Sequence, residues 1–253
     1  MKAIILSAGQ GKRLLPFTAD LPKCAVAIYG QSMLEWQIDE LNRCGVQDIS
    51  VVLGYGAEKV EALLAARYGS GHVRTLFNPF FSVADNLGTC WVAREEMTED
   101  FILLNGDTLF QAPVLKQLLA SPCRPVTVTT DRKGHYDDDD MKVILEGERL
   151  LRIGKDLPLD RVHAESIGML LFRGEGPALF RRTVEEVLRH PSGLKRWYLS
   201  VIDELARRQP VWTCCIEGLP WGEVDCPADM EHAESVVRGI AESQSPAKRG
   251  VRA

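Results

Sequence analysis

The chain has no run of about 18 apolar residues, the length a membrane-spanning helix requires. No apolar leader opens it either. Met1-Lys2-Ala3-Ile4-Ile5-Leu6 is cut short by Gly9, Gly11, Lys12 and Arg13. A cytoplasmic protein without a membrane partner is therefore expected. Its seven cysteines are odd in number and contain no C-x-x-C pair. That argues against a disulfide framework and against a structural zinc site. Positive charge is not in excess. The net charge is −5, so the overall electrostatics give no reason to expect nucleic acid as a partner. The five histidines, at 72, 135, 163, 190 and 232, are scattered and form no obvious catalytic set. Aromatic residues make up only 7% of the chain, so those that fall near charged motifs count for more.

What is present is a core. Hydrophobic residues make up 45% of 253 residues, enough for one large α/β domain or two small ones. Ala3–Leu6, Ile49–Leu53, Val73–Phe77 and Phe101–Asn105 are short apolar runs that read as strands. Between them, Ser32–Arg43, Ala57–Tyr68 and Thr89–Met97 carry helical patterns, the first two closed by Gly45 and Gly69. Strands alternating with helices imply a three-layer α/β/α fold with a mainly parallel sheet. Their continuous apolar character suits a sheet covered on both faces.

The second half is less regular. Pro125–Thr130 and Ile167–Phe172 read as strands. Met141–Leu145 and Arg149–Ile153 flank Gly147 as a hairpin, and Val211–Glu217 reads as an edge strand. Val114–Leu119, Ala178–Arg189, Tyr198–Arg208 and Pro227–Gly239 read as helices. The expectation is one domain over 1–239, with halves 1–130 and 131–239, and a flexible tail over 240–253.

The densest chemistry lies at the front, in LSAGQGKRLLPFTADLPK. A buried strand delivers the small-residue loop Ser7-Ala8-Gly9-Gln10-Gly11. Lys12 and Arg13 follow, and Lys23 comes ten residues later, after Pro22. Glycines let backbone N–H groups approach an anion closely, and nearby cations balance its charge. The loop is neither the Walker pattern GxxxxGK(S/T) nor the dinucleotide pattern GxGxxG. Alone, GQGKR is equally a Gly-rich turn with solvated basic residues; Lys23 behind Pro22 tells against that. Two acidic positions stand out as well. Asp107 follows Gly106 at the end of a buried strand, where a metal ligand or a turn aspartate would both fit. Asp225 sits in Trp221-Gly222-Glu223-Val224-Asp225, with Asp229 four residues on.

These segments resemble the signature of the sugar-phosphate and phosphocholine nucleotidyltransferase superfamily, LxAGxGxRxxPxTxxxPK. Leu6, Ala8, Gly9, Gly11, Arg13, Pro16, Thr18, Pro22 and Lys23 all fit. The resemblance implies a Rossmann-like fold and an enzyme that needs Mg²⁺. It implies that Leu6, Ser7, Ala8, Gly9, Gly11 and Gly106 hold a nucleoside triphosphate, and that Arg13, Lys12 and Lys23 neutralise its phosphates. It makes Asp107 and Asp225 the metal ligands. Such a reaction needs no general base, because a phosphomonoester has a second pKa of about 6 and is already ionised at neutral pH.

The segment Asn78–Thr89 is similar to the phosphocholine cytidylyltransferase branch, with Asn78, Asn86 and Thr89 matching its polar positions. Asp138-Asp139-Asp140-Met141-Lys142-Val143, Gly154-Lys155-Asp156 and Glu165-Ser166-Ile167-Gly168 also resemble that branch. CTP is thus the expected nucleotide. The expected acceptor is a phosphorylated small alcohol or a phosphonate, held by Lys155, Glu165, Trp197, Tyr198, Trp221 and Glu223. Two readings compete with that. Trp197 and Tyr198 also fit the start of a packed helix, and Asp137–Asp140 also fits a solvated loop. A uridylyl- or guanylyltransferase acting on a sugar 1-phosphate is the rival enzyme. A non-catalytic nucleotide-binding regulator is the rival of another class. A monomer or a homodimer is expected.

Overall fold

The computed structural model describes residues 1–244. In chain order the first half is β1 (Lys2–Ser7), β2 (Ala27–Ile28), β3 (Gln31–Ser32), α1 (Met33–Arg43), β4 (Asp48–Leu53), α2 (Ala57–Tyr68), β5 (Val73–Phe77), α3 (Asn86–Val92), β6 (Phe101–Asn105), β7 (Thr108–Phe110) and α4 (Ala112–Ala120). The second half is β8 (Val126–Asp131), β9 (Lys142–Glu146), β10 (Arg149–Gly154), β11 (Ala164–Phe172), α5 (Gly176–Leu188), α6 (Tyr198–Arg208), β12 (Val211–Cys215), β13 (Trp221–Glu223) and α7 (Met230–Gln244).

Nine strands form the main sheet, in the order β5-β4-β1-β6-β11-β8-β12-β10-β9. The first four are mutually parallel. Strand β11 runs against β6 and β8, and β10 runs against β12 and β9. Every other strand points the same way as β1. The sheet is therefore mixed, with its strands mainly in one direction. The amino-terminal end of β11 also pairs with β9, through Ala164 and Glu165. This closes β11, β8, β12, β10 and β9 into a ring.

Alternation along the strands sorts the core into layers. In β1, Ile4 and Leu6 face α3, α5 and α6, whereas Ala3 and Ile5 face α1, α2 and α4. Phe101, Phe172 and Phe180 stack in the first of these layers, with centroids 4.5 and 4.7 Å apart. A third cluster joins α7 to α1 through Leu14, Trp36, Val224, Val237 and Ile240. Helix α1 begins with a full capping box, Ser32 with Glu35, and ends before Gly45 in the left-handed region.

The structure moves some expected boundaries. Strand β12 is not an edge strand, because it pairs with β8 and with β10. Helix α3 starts at Asn86 rather than at Thr89, so Asn86 sits at a helix terminus. The last helix does not stop at Gly239 but runs to Gln244, with Ile240 buried. Gly239 packs on the end of the Gln111 side chain. A Cβ at that position would lie 2.4 Å from Gln111 Nε2. The remainder of the expected tail, residues 245–253, lies outside the described residues.

Candidate active site

The site forms where the carboxyl ends of β1 and β6 meet the ribbon made by β7 and β13. Strand β1 ends in Ser7 and releases the glycine loop. Gly11 adopts φ 76°, and a Cβ there would lie 2.7 Å from Lys23 Cβ, so the loop packs directly on Lys23. Thr18, fully buried, donates from Oγ1 to the Gly11 carbonyl at 2.8 Å and fixes the loop from behind. Strand β6 ends in Asn105-Gly106-Asp107. A Cβ at Gly106 would lie 2.4 Å from Ser7 Oγ and 2.7 Å from the Leu6 carbonyl. Gly106→Ala should therefore push β1 and β6 apart at the site. A loss of about 1–3 kcal/mol in denaturant unfolding is expected, together with weakened nucleotide binding.

Asp225 reaches Asp107 because β13 pairs antiparallel with β7, Glu223 opposite Thr108. The Val224 N–H then donates to the Asp107 carbonyl at 3.2 Å. Lys23 closes the arrangement. Its Nζ lies 2.7 Å from Asp107 Oδ2 and 2.6 Å from Asp225 Oδ1, partners 84 and 202 residues away in sequence. Burial opposes its charge, but the two carboxylates outweigh that and hold its pKa above the usual lysine value. Arg13 spans Asp225 and Asp139, both at 3.0 Å. Lys12 is exposed and makes no ion pair among the described residues.

Two cavities flank this knot. The smaller, about 190 Å³, is lined by Leu6, Ser7, Gly9, Lys23, Asn86 and Asp107, with Cys24, Asn105 and Gly106 completing it. The larger, about 780 Å³, lies on the side of Arg13, Glu165, Trp221, Glu223 and Asp225. Eight carboxylates line it against Arg13, Lys133 and His232, so its field is acidic. Glu165 is pushed up to about 7, first by burial, with the neighbouring Asp140 adding to the rise against the opposing pull of Lys133. Lys133 Nζ sits between the two, 2.8 Å from Asp140 and 3.0 Å from Glu165. Burial beside Asp107 and Asp225 raises Glu223 to about 8. Trp221 lines the same cavity and donates from Nε1 to Asp131 at 2.7 Å.

Several expected site residues do something else. Tyr198 is fully buried in the core and donates from its hydroxyl to Asn105 Oδ1 at 3.1 Å. It braces the end of β6 and cannot touch an acceptor. Asn78 is also fully buried. It donates to Thr89 Oγ1 at 3.1 Å and accepts from the Phe80 N–H at 2.9 Å. The pair pins the segment 78–89 and leaves neither side chain in the small cavity. Ala8 is buried, and its carbonyl accepts from the Tyr55 N–H at 3.1 Å. Asn86 does line the small cavity, and its Oδ1 accepts from the Tyr198 N–H at 2.8 Å. Trp197 is exposed outside both cavities, with Lys155 Nζ 4.9 Å from its ring centroid.

Sequence reasoning missed two residues of consequence. Gln37, on α1, donates to the carbonyls of Asn105 and Thr108 at 2.7 and 2.8 Å and clamps the turn that carries Asp107. Its only signal was an amide on a buried helix stripe. Lys133 gave no signal, because it follows Arg132 just past a strand and reads as a solvated basic pair.

Residues 2–121 match the family model described as nucleotidyl transferase. Over that segment, which carries the glycine loop, Lys23 and Asp107, the chain is similar to the nucleotidyl transferase family. It is 28% identical over 244 residues to CMP-5'-(3-aminopropyl)phosphonate synthase from Streptomyces rubellomurinus, covering 92% of this chain and 38% of that protein. It is 25% identical to CTP:phosphoglutamine cytidylyltransferase from Campylobacter jejuni, covering 91% of this chain and 98% of that one. The nucleotidyltransferase fold is shared with the solved CTP:phosphocholine cytidylyltransferase from Streptococcus pneumoniae. There the TM-score is 0.76 at 20% identity, covering 93% of this chain and 98% of that one. The chain spans 38% and 53% of the length of two curated relatives that it matches along nearly all of its own length, so those two proteins contain further segments.

Proposed function

We propose that this nucleotidyltransferase domain transfers CMP from CTP to a phosphorylated small alcohol or a phosphonate bearing a positive charge, with release of pyrophosphate. One observation carries the reading. A small cavity beside the glycine loop and a large acidic cavity lie on either side of the Lys23–Asp107–Asp225 junction. The first suits a nucleotide, the second a cationic acceptor. The names of the relatives favour cytosine, and each of their acceptors carries a phosphate or phosphonate.

Asp107 and Asp225 would hold Mg²⁺. Their hard oxygens suit the ion, which takes its remaining ligands from water and phosphate oxygens. The fit has a structural mark: Asp107 Oδ1 is buried without a hydrogen-bond partner among the described residues. When bound, the ion would offset the phosphate charge at the reacting centre. The chain's own groups do the rest. Lys23 and Arg13 neutralise the departing pyrophosphate, and Lys12 extends from the same loop toward the triphosphate. The N–H groups of Ser7–Gly11 orient the phosphates. The acceptor oxyanion is already ionised, so attack on the α-phosphorus needs positioning more than proton transfer.

The test is pyrophosphate release with CTP, UTP, GTP and ATP across a set of acceptors, with Mg²⁺ present. CTP with an amine-bearing phosphate or phosphonate should dominate. Turnover confined to UTP or GTP with a hexose 1-phosphate would refute the reading. A pH effect should accompany it. Below about pH 7 the Glu165 carboxyl is protonated and gives a cationic acceptor little attraction. The acceptor KM should therefore fall several-fold as pH rises through 7, with the CTP KM nearly constant. Glu165→Gln should flatten that profile.

A further inference from the structure

Tyr198 makes two hydrogen bonds that end on two asparagines of one cavity. Its N–H donates to Asn86 Oδ1 at 2.8 Å, and its hydroxyl donates to Asn105 Oδ1 at 3.1 Å. Both asparagines line the small cavity beside the glycine loop, Asn86 from the start of α3 and Asn105 from the end of β6. With each oxygen taken, the free end of each amide is its nitrogen, a donor. Neither nitrogen makes a hydrogen bond among the described residues. We propose that Asn105 is a further nucleotide-contacting residue, working with Asn86, and that Tyr198 is the positioning residue that turns both amides donor-first toward the nucleotide. This deepens the reading of the small cavity as a nucleotide site and rests on it.

The orientation is imposed by the surroundings. A backbone N–H can only donate, so Asn86 must offer it the oxygen. That N–H belongs to the first residue of α6, whose N-cap Trp197 supplies no side-chain cap, so the Asn86 amide also satisfies a helix-end donor. The Tyr198 ring is fully buried, which holds its hydroxyl in one place. Backbone bonds tie the same two segments together. The Asp85 N–H donates to the Leu194 carbonyl at 2.7 Å, and the Leu87 N–H to the Arg196 carbonyl at 3.3 Å. Room for the Asn105 amide comes from β11. Gly168 stands against it, and a Cβ there would lie 2.3 Å from Asn105 Nδ2.

Two neutral donors suit the uncharged acceptors of a nucleotide, the base carbonyl and the ribose hydroxyls, since Lys23 and the glycine loop are the proposed phosphate contacts. A flipped amide would turn an oxygen toward the base carbonyl and repel it.

The experiment measures CTP and UTP binding by calorimetry, without Mg²⁺ or acceptor. Asn105→Ala should weaken binding about three- to tenfold, the scale of one neutral hydrogen bond. Tyr198→Phe, which removes only the hydroxyl, should weaken it by about the same factor. In the Asn105→Ala background, Tyr198→Phe should add less than about twofold, because the amide it orients is gone. Val201→Ala truncates a buried side chain of the same helix that can bond to neither asparagine. It should lower the melting temperature and change affinity less than about twofold. Losses that multiply in the double variant would overturn the proposal, as would unchanged affinity in Tyr198→Phe or an equal loss in Val201→Ala. Tighter binding of UTP than of CTP, with the Tyr198–Asn105 coupling intact, would instead fault the base assignment alone.

Discussion

Asp107→Ala is expected to reduce pyrophosphate release by about three orders of magnitude or more, with the fold intact. The carboxylate sits just past the end of β6 and lines the smaller cavity, and one of its oxygens has no hydrogen-bond partner among the described residues. An anion beside phosphates can assist only through a cation it holds; losing one charge-stabilising contact typically costs about 10²–10³ in turnover, and losing a ligand of the proposed Mg²⁺ would cost more. The turn should survive, because Gln37 holds the carbonyls of Asn105 and Thr108 and the Asp107 backbone accepts from Val224. Lys23 keeps Asp225 at 2.6 Å. Steady-state assays should show the loss in kcat rather than in CTP KM, while circular dichroism and thermal melting stay near wild type. Turnover within tenfold of wild type would remove Asp107 from the metal site. Asp225→Ala should behave alike, with an added effect on Arg13, which would lose one of its two partners.

The largest effect on stability is expected far from that site. Lys2 opens β1 and is buried, with Nζ 2.5 Å from Glu96 Oε2. Ser50 donates to the same oxygen at 3.1 Å, and Arg74 lies 3.5 Å from the other. Breaking a buried pair by removing one partner costs about 3–5 kcal/mol, because the other charge is stranded. Glu96→Leu should show this, since Lys2 then keeps only Asp48, at 3.7 Å. The double variant Lys2→Met/Glu96→Leu should recover most of the loss. Urea unfolding of the two single variants and the double one provides the cycle, and additive losses would contradict the argument.

The pair also has a pH signature. Burial works to raise the Glu96 pKa, but Lys2 and Ser50 outweigh it and hold the carboxyl below its usual value. A depressed carboxyl stabilises the fold above the unfolded value of 4.5 and loses that contribution as pH falls through the lower folded value. Acid unfolding of wild type should therefore include a component below about pH 4.5 that the double variant lacks.

The sequence exposed the chemistry of this site better than its geometry. The glycine loop, Lys23 and Gly106-Asp107 were legible because each combines a local backbone demand with a charge, and both leave traces in residue type. Asp225 was legible only through resemblance, because the ribbon of β7 and β13 that delivers it is two three-residue strands far apart in the chain. Such short pairings have no periodicity to detect. Tyr198 and Asn78 misled for the opposite reason. A polar atom on a buried side chain looks the same in sequence whether it greets a ligand or a neighbouring side chain. Gly239 misled because close helix packing and helix termination select the same residue. Strand β12 read as an edge because Val211, Thr213 and Cys215 alternate with other residues, yet β8 and β10 flank it on both sides.

The placement of β11 bears on how such a domain is inherited. Its carboxyl half is zipped between β6 and β8, while its other end carries Glu165 into the acceptor cavity. The segments before and after residue 130 thus share one rod. A fragment ending near residue 130 would leave the flank of β6 bare, an open template for joining another chain. Under the proposed reaction, a change of acceptor would call for side-chain replacement or loop remodelling around the larger cavity, with this frame kept. Swapping halves between relatives would break that frame, unless each half arrived with its own copy of the rod.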